Sequence, residues 1–147
     1  MEPRIITRPA ARVVGILVVS TMEPNLCPTA WEQFVPRMPE VEISGECLGI
    51  ARWDYPGLAE GQFAYMAGFV SSMQPPTGME AWEIDSGDYA EVTVSNLDSI
   101  RPAIGEFYEK WLPTSEYVSG SLPYLEVYPE EFPHPQTLKL CFSVTNR

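Results

Sequence analysis

The residues of this chain best suited to chemistry lie toward its C-terminal end, in Tyr124-Leu125-Glu126-Val127-Tyr128. An extended strand points successive side chains to opposite faces. Tyr124, Glu126 and Tyr128 then share one face, and Leu125 and Val127 take the other. A carboxylate flanked by two phenols has two readings. It can be an ordinary solvent-facing residue. It can also be a negative charge at the base of an aromatic pocket, a receptor for an organic cation held by charge and by ring faces. In the second case desolvation would raise the carboxyl pKa, and a bound cation would draw it down again. Pattern alone leaves both readings open.

Other chemistry is sparse. Cys27, Cys47 and Cys141 are odd in number with no close pair, so neither a disulfide framework nor a CxxC metal site is indicated. The single histidine, His134, sits in a Pro-rich turn expected over Pro129 to Pro135, and a zinc site or histidine-based triad has no partners to draw on. There is no GxGxxG or phosphate loop, no GxSxG elbow and no HExxH. Glu130 and Glu131 are adjacent within that same turn and read as solvated surface. Cys141 reads as a small buried hydrophobe. No metal and no cofactor are expected.

Composition narrows the partners. Nine Lys and Arg against twenty Asp and Glu give a net charge of -11, a surface that repels phosphate backbones and anionic lipid heads. Neither nucleic acid nor membrane is expected as a direct partner. With 147 residues, 45% apolar and 20% charged, the chain suits one domain, 1–147, with a core that needs no staples. The apolar run Val13 to Val19 is too short to span a bilayer, and the start lacks a leader pattern, so a cytoplasmic location is the default expectation. Aromatic residues are the informative class: four Trp, seven Tyr and six Phe. Buried Tyr and Trp need partners for their polar tips, and a domain this rich in them often lines a cavity with some.

The elements that must position these groups follow from periodicity. Residues 4 to 19 read as a first strand with an early break at Pro9. Thr29 to Met38 reads as a short helix with Thr29 as N-cap and Glu32 three residues on, a capping-box pattern. Trp31, Phe34, Val35 and Met38 give it an apolar face, and Pro39 is expected to stop it. Gly45–Trp53 and Gln62–Val70 are strands joined through Asp54-Tyr55-Pro56-Gly57, with Phe63, Tyr65, Ala67 and Phe69 on one face. Glu80–Asp85 and Asp88–Val94 are read as a further strand pair joined at Ser86-Gly87. The clearest helix runs from about Asp98 to Leu112, its stripe formed by Leu97, Ile100, Ile104, Phe107, Tyr108 and Trp111. Asn96, Asp98 and Ser99 are candidate caps, and Pro113 is expected to end it. Tyr117–Ser119 and a closing hairpin complete the chain. Strands grouped around two helices predict α+β, with a largely antiparallel sheet and both helices on one side.

In order and spacing, four segments resemble the GyrI-like effector-binding domains: Tyr65-Met66-Ala67-Gly68-Phe69-Val70, Ile84-Asp85-Ser86-Gly87-Asp88-Tyr89-Ala90, Ile104 to Pro113, and Leu125-Glu126-Val127-Tyr128. Such domains are the small-molecule sensors of several AraC-type and MerR-type transcription regulators, and they also occur alone. The resemblance covers essentially the whole chain. It implies duplicated β-α-β-β units with a ligand cleft between the halves. It further implies a lipophilic, drug-like cation as ligand, met by Glu126 in the position of the family's Glu-x-Tyr glutamate. Tyr65 corresponds to the Tyr of the Tyr-x-x-Gly strand and Trp111 to the Trp of the second-helix motif. The expected aromatic lining is Tyr65, Trp82, Tyr108, Trp111, Trp31, Phe107 and Tyr128. The family also contains hydrolases of strained cyclopropane-type compounds. On that alternative, Glu126 with Tyr65 or Tyr108 would be catalytic. A third alternative, an acidic inhibitor of the gyrase-inhibitor type, would act on a protein partner. The chain shows no helix-turn-helix, so a standalone binder is expected, either as a homodimer or with a separate protein partner.

Overall fold

The structure, a computed structural model, describes residues 2–128 and 137–147. Nine strands and two helices form an α+β fold in which every strand pairing among the described residues is antiparallel. The strands are β1 (Arg4–Arg8), β2 (Ala11–Thr21), β3 (Cys47–Arg52), β4 (Gln62–Val70), β5 (Glu80–Ile84), β6 (Gly87–Val94), β7 (Tyr117–Ser119), β8 (Tyr124–Tyr128) and β9 (Leu138–Asn146). Helix α1 spans Cys27–Phe34 and α2 spans Ile100–Glu106. Each half of the chain therefore runs strand, helix, strands, as the β-α-β-β expectation has it.

The strand order is β1-β6-β9-β8-β3-β4-β2-β5, with β7 added beside β9. Two expectations need correction here. Residues 4 to 19 are two strands, and the Pro9 break is a corner between opposite ends of this order. Residues 80–94 do not form a hairpin: β5 continues into β6, pairing with β2 and β1 respectively. The register Arg4↔Glu91 through Arg8↔Gly87 resumes without slip as Ala11↔Ile84 through Gly15↔Glu80. Both strands of one long pair thus break at the same level, where Pro9 lacks the N–H a ladder needs. The two ends of the sheet are joined through these continuous segments. Close approach of the paired strands β2 and β4 demands glycine. A Cβ on Gly15 would lie 2.0 Å from the Ala67 carbonyl oxygen, and one on its partner Gly68 would lie 2.4 Å from that of Val14.

Apolar side chains fill both faces. On one, Val13, Leu48, Ile50, Met66, Trp82, Tyr89, Leu125 and Cys141 pack together. The other face carries Val14, Ile16, Phe69, Leu140 and Phe142, on which the helices dock through Phe34, Ala103 and Phe107. In β4, Phe63, Tyr65, Ala67 and Phe69 share this helix face, as alternation predicts.

Both helices begin and end differently from expectation. Helix α1 starts at Cys27, because Pro28 in the first turn needs no N–H partner. Thr29 is inside it and is not the cap; its hydroxyl donates to the Leu26 carbonyl at 2.6 Å. Beyond Phe34 the chain tightens into a 3₁₀ segment, Val35–Glu40, that contains Pro39 and ends only after it. Ahead of α2, the Asn96 side chain accepts the Ser99 N–H at 2.9 Å and caps a short 3₁₀ turn, Leu97–Ser99. After Glu106 the helix widens into a π segment, Phe107–Trp111, and closes with one α turn, Leu112–Thr114, so Pro113 lies within the last turn. The Arg147 guanidinium donates to the Leu112 and Pro113 carbonyls, each at 3.3 Å, a cation placed at the C-terminal end of the helix. The Pro-rich turn, with Glu130, Glu131 and His134, lies outside the described residues.

Candidate functional site

A cavity of about 1010 Å³ lies between the two helices, with the helix face of the sheet as its floor. Strands β3, β4, β8 and β9 contribute Ala51, Phe63, Tyr65, Tyr124, Glu126, Tyr128 and Phe142. Cys27, Pro28, Trp31, Glu32, Val35 and Pro36 form the α1 wall; Leu97, Ile100, Arg101, Ile104 and Tyr108 form the α2 wall. Met22, Trp53, Leu97 and Tyr108 are exposed large apolar residues of this lining. They explain why the second helix's stripe is not fully buried. Its outer members face a cavity.

Glu126 is at the floor, 7% exposed. Its neighbours fall in place through strand alternation and register. Tyr124 and Tyr128, two residues either side, point the same way. Tyr124 Oη donates to Oε2 at 3.0 Å and Tyr128 Oη to Oε1 at 3.0 Å. Tyr65 reaches from β4 and donates to Oε1 at 2.7 Å. Trp31 of α1 donates its indole N–H to the Tyr65 oxygen at 2.9 Å. An indole nitrogen can only donate, so Tyr65 accepts from it and gives its single proton to the carboxylate. One carboxylate thus receives three phenol hydrogen bonds, one of them backed by an indole.

Burial pushes the Glu126 carboxyl above its ordinary value, and the three phenol donors act against that rise. The sequence expectation of a raised pKa holds, although the donors moderate it. Burial, and then the Glu126 charge, push Tyr65, Tyr124 and Tyr128 upward, so all three stay neutral donors. Cys27 on the wall is pushed up to about 12 by burial and by Glu126, which keeps it a thiol and a poor nucleophile. Among the described residues no lysine or arginine forms an ion pair with Glu126. Arg101, the one cation of the lining among the described residues, pairs with Glu23 at 3.2 Å and donates to the Met22 carbonyl. Among the described residues no cluster of His, Cys, Asp or Glu could hold a metal ion, and no helix is long and apolar enough to cross a membrane.

Of the residues singled out from sequence, Glu126, Tyr65, Tyr108, Trp31 and Tyr128 line the cavity. Phe107 is one layer behind, stacked on Phe142 at 4.1 Å and 8°. Trp111 is stacked between Phe107 at 5.2 Å and Tyr117 at 6.1 Å, off the cavity wall. Trp82 is on the opposite face of the sheet, in the enclosed core, with Arg52 5.0 Å over its ring. Sequence reasoning left Trp53, Ile100, Ile104 and Phe142 out of the lining, and it put Tyr124 and Phe63 on the faces of Glu126 and Tyr65 without counting them in it. Gly49 was passed over too. A Cβ there would lie 2.2 Å from Tyr65 Oη and 2.7 Å from Glu126 Oε1.

Two β-α-β-β units enclosing an aromatic cleft with a carboxylate at its floor define a small-molecule-binding type of domain. Residues 1–144 match the GyrI-like small molecule binding domain, and the chain belongs to that family. The fold recurs in solved structures of low identity. SAV2435 bound to tetraphenylphosphonium is 12% identical with TM-score 0.78, over 99% of this chain and 94% of that one. A putative bacterial transcription regulation protein from Staphylococcus aureus MU50 is 12% identical with TM-score 0.74, over 99% of each chain. The EcmrR C-terminal domain is 11% identical with TM-score 0.72, over 99% of this chain and 98% of that one. A search of curated proteins finds no match.

Proposed function

We propose that this chain captures a lipophilic organic cation in the cavity between its helices, with Glu126 as the counter-ion, the whole of 1–147 acting as one binding unit. The observation that carries the reading is a buried carboxylate held by three neutral donors and paired with no cation of the described chain. A buried charge without a partner is costly, and a ligand that brings the opposite charge recovers part of that cost. Trp31, Tyr65, Tyr108, Tyr124 and Tyr128 line the site, and a ring whose face meets a cation contributes about 0.5–2 kcal/mol. The tetraphenylphosphonium seen in SAV2435, a protein of the same fold, supports this ligand class. Calorimetry with tetraphenylphosphonium and with the neutral triphenylphosphine oxide tests it. The cation should bind about tenfold tighter or more, a difference of about 1.4 kcal/mol. Equal affinities would sink the reading.

A further inference from the structure

We propose that Gly49 is the positioning residue of this site, the position whose lack of a side chain lets Tyr65 lie across β3 and give its proton to Glu126. Tyr65 and Glu126 are on β4 and β8, which never pair with each other; β3 runs between them, bonded to both. Neighbouring strands are about 4.8 Å apart, so a phenol that bridges two spacings must pass over the strand in the middle. The residues of β3 beneath that path are Ala51, opposite Tyr65, and Gly49, opposite Glu126. A Cβ on Gly49 would meet Tyr65 Oη at 2.2 Å, its Cζ at 3.0 Å and Glu126 Oε1 at 2.7 Å, all side-chain atoms of the site. Backbone conformation does not explain this glycine. Its φ is outside the left-handed region, unlike Gly57, Gly61 and Gly78. It sits between Leu48 and Ile50, both fully buried, in a strand paired on both edges, where a glycine weakens the sheet and ordinarily marks a close approach. Here what approaches is a hydroxyl and a carboxylate.

The inference deepens the counter-ion reading and rests on it for its consequence, but its geometry is testable without ligand. In Gly49→Ala the Tyr65 hydroxyl is displaced, and Glu126 keeps two phenol donors in place of three. The side-chain carboxyl of Glu126, followed by ¹³C NMR in ligand-free protein, should titrate at higher pH in Gly49→Ala than in the native chain. Tyr65→Phe should move it the same way, and the double variant should move it little further, because one bond is lost in all three. Tetraphenylphosphonium should lose about tenfold in affinity for Gly49→Ala at neutral pH, and triphenylphosphine oxide much less. An unchanged Glu126 titration in a folded Gly49→Ala overturns the inference. If Gly49→Ala does not fold, Gly49→Ala/Tyr65→Phe, which removes the nearest atom, should restore folding; its failure to do so would assign Gly49 to backbone packing and overturn the inference as well. A native protein that does not distinguish cation from neutral probe defeats the counter-ion reading alone, since the titration shift stands without it.

Discussion

On the helix side of the sheet, Glu126 is buried among three phenols and pairs with no cation of the described chain. Across the sheet, Trp82 lies 5.0 Å beneath Arg52, Tyr55 packs on it at 5.8 Å, and Tyr55 donates to Glu80 at 3.0 Å. Both places combine acid with aromatic rings, yet the second already holds its cation. Arg52 further pairs with Asp54 at 3.1 Å, so that cation already has an acid of the chain as its partner. Trp82 is moreover buried in the core of its face, whereas Glu126 opens on a cavity of about 1010 Å³. An aromatic surface becomes a receptor only where the protein supplies neither the cation nor the atoms to fill the space.

The largest effect expected from this contrast is at Glu126. Glu126→Gln, nearly the same in shape, should keep the fold and weaken tetraphenylphosphonium about tenfold or more while barely changing triphenylphosphine oxide. Equal loss of both would mean that Glu126 does not act as the counter-ion. The same variant should flatten a pH dependence. The folded Glu126 carboxyl titrates above its unfolded value, so its contribution to stability is full below the unfolded value and is lost as pH rises through the folded one. Melting temperatures of Glu126→Gln should therefore gain on the native chain between acid and neutral pH. Cation affinity runs the other way in the native protein and falls as pH drops through the folded value, because only the ionised form attracts the ligand.

A smaller loss is expected from Trp31→Phe, which retains a ring on the wall but removes the indole donor to Tyr65. One such hydrogen bond contributes about 1 kcal/mol, so several-fold weaker cation binding is expected, visible by calorimetry. Least affected should be ligand binding in Trp82→Phe and Trp111→Phe. Tryptophan quenching by tetraphenylphosphonium should persist in both, since Trp31 and Trp53 are the tryptophans of the lining. Loss of the signal in Trp111→Phe would return Trp111 to the cavity wall. Trp82→Phe should instead cost stability, about 1 kcal/mol from the weakened stack with Arg52, measured by denaturant unfolding.

How much of this was legible in sequence depended on whether a signal was local. The alternation of residues 124–128 put Tyr124, Glu126 and Tyr128 on one face, as the structure has them, because parity on a strand needs no partner. The helical stripe from Leu97 to Trp111 located the second wall for the same reason. Its split into cavity, core and outer stack was not readable, since the widened turn after Glu106 shifts the period. Trp82 was placed on the wrong face because short β5 gives parity without saying which side faces the helices. The corner at Pro9 looked like a break in one strand, and the pairing of 4–8 and 11–15 with 80–84 and 87–91 in a single register is a property of two distant segments. Gly49 was invisible for a related reason. What it accommodates belongs to two other strands.

The widened segment carries a consequence for how such a cavity changes over generations. From Phe107 to Trp111 the Leu112 N–H bonds the Phe107 carbonyl, five residues back, one more than an α turn spans. Phe107 and Tyr108, adjacent in sequence, thereby take different tasks, one stacked on Phe142 beneath the wall and the other on the cavity surface. Deleting a single residue of the widened turn, such as Glu109, would restore the ordinary turn and leave the helix on either side facing as before, because the wide turn takes up the extra residue locally. The same deletion in the ordinary turns before Phe107 would instead rotate the wall by about 100° against the end held by Arg147. Comparing a panel of aromatic cations on the native chain and on the Glu109 deletion, folded by circular dichroism, should show an unchanged ranking; a reordered preference would mean that the wall turns.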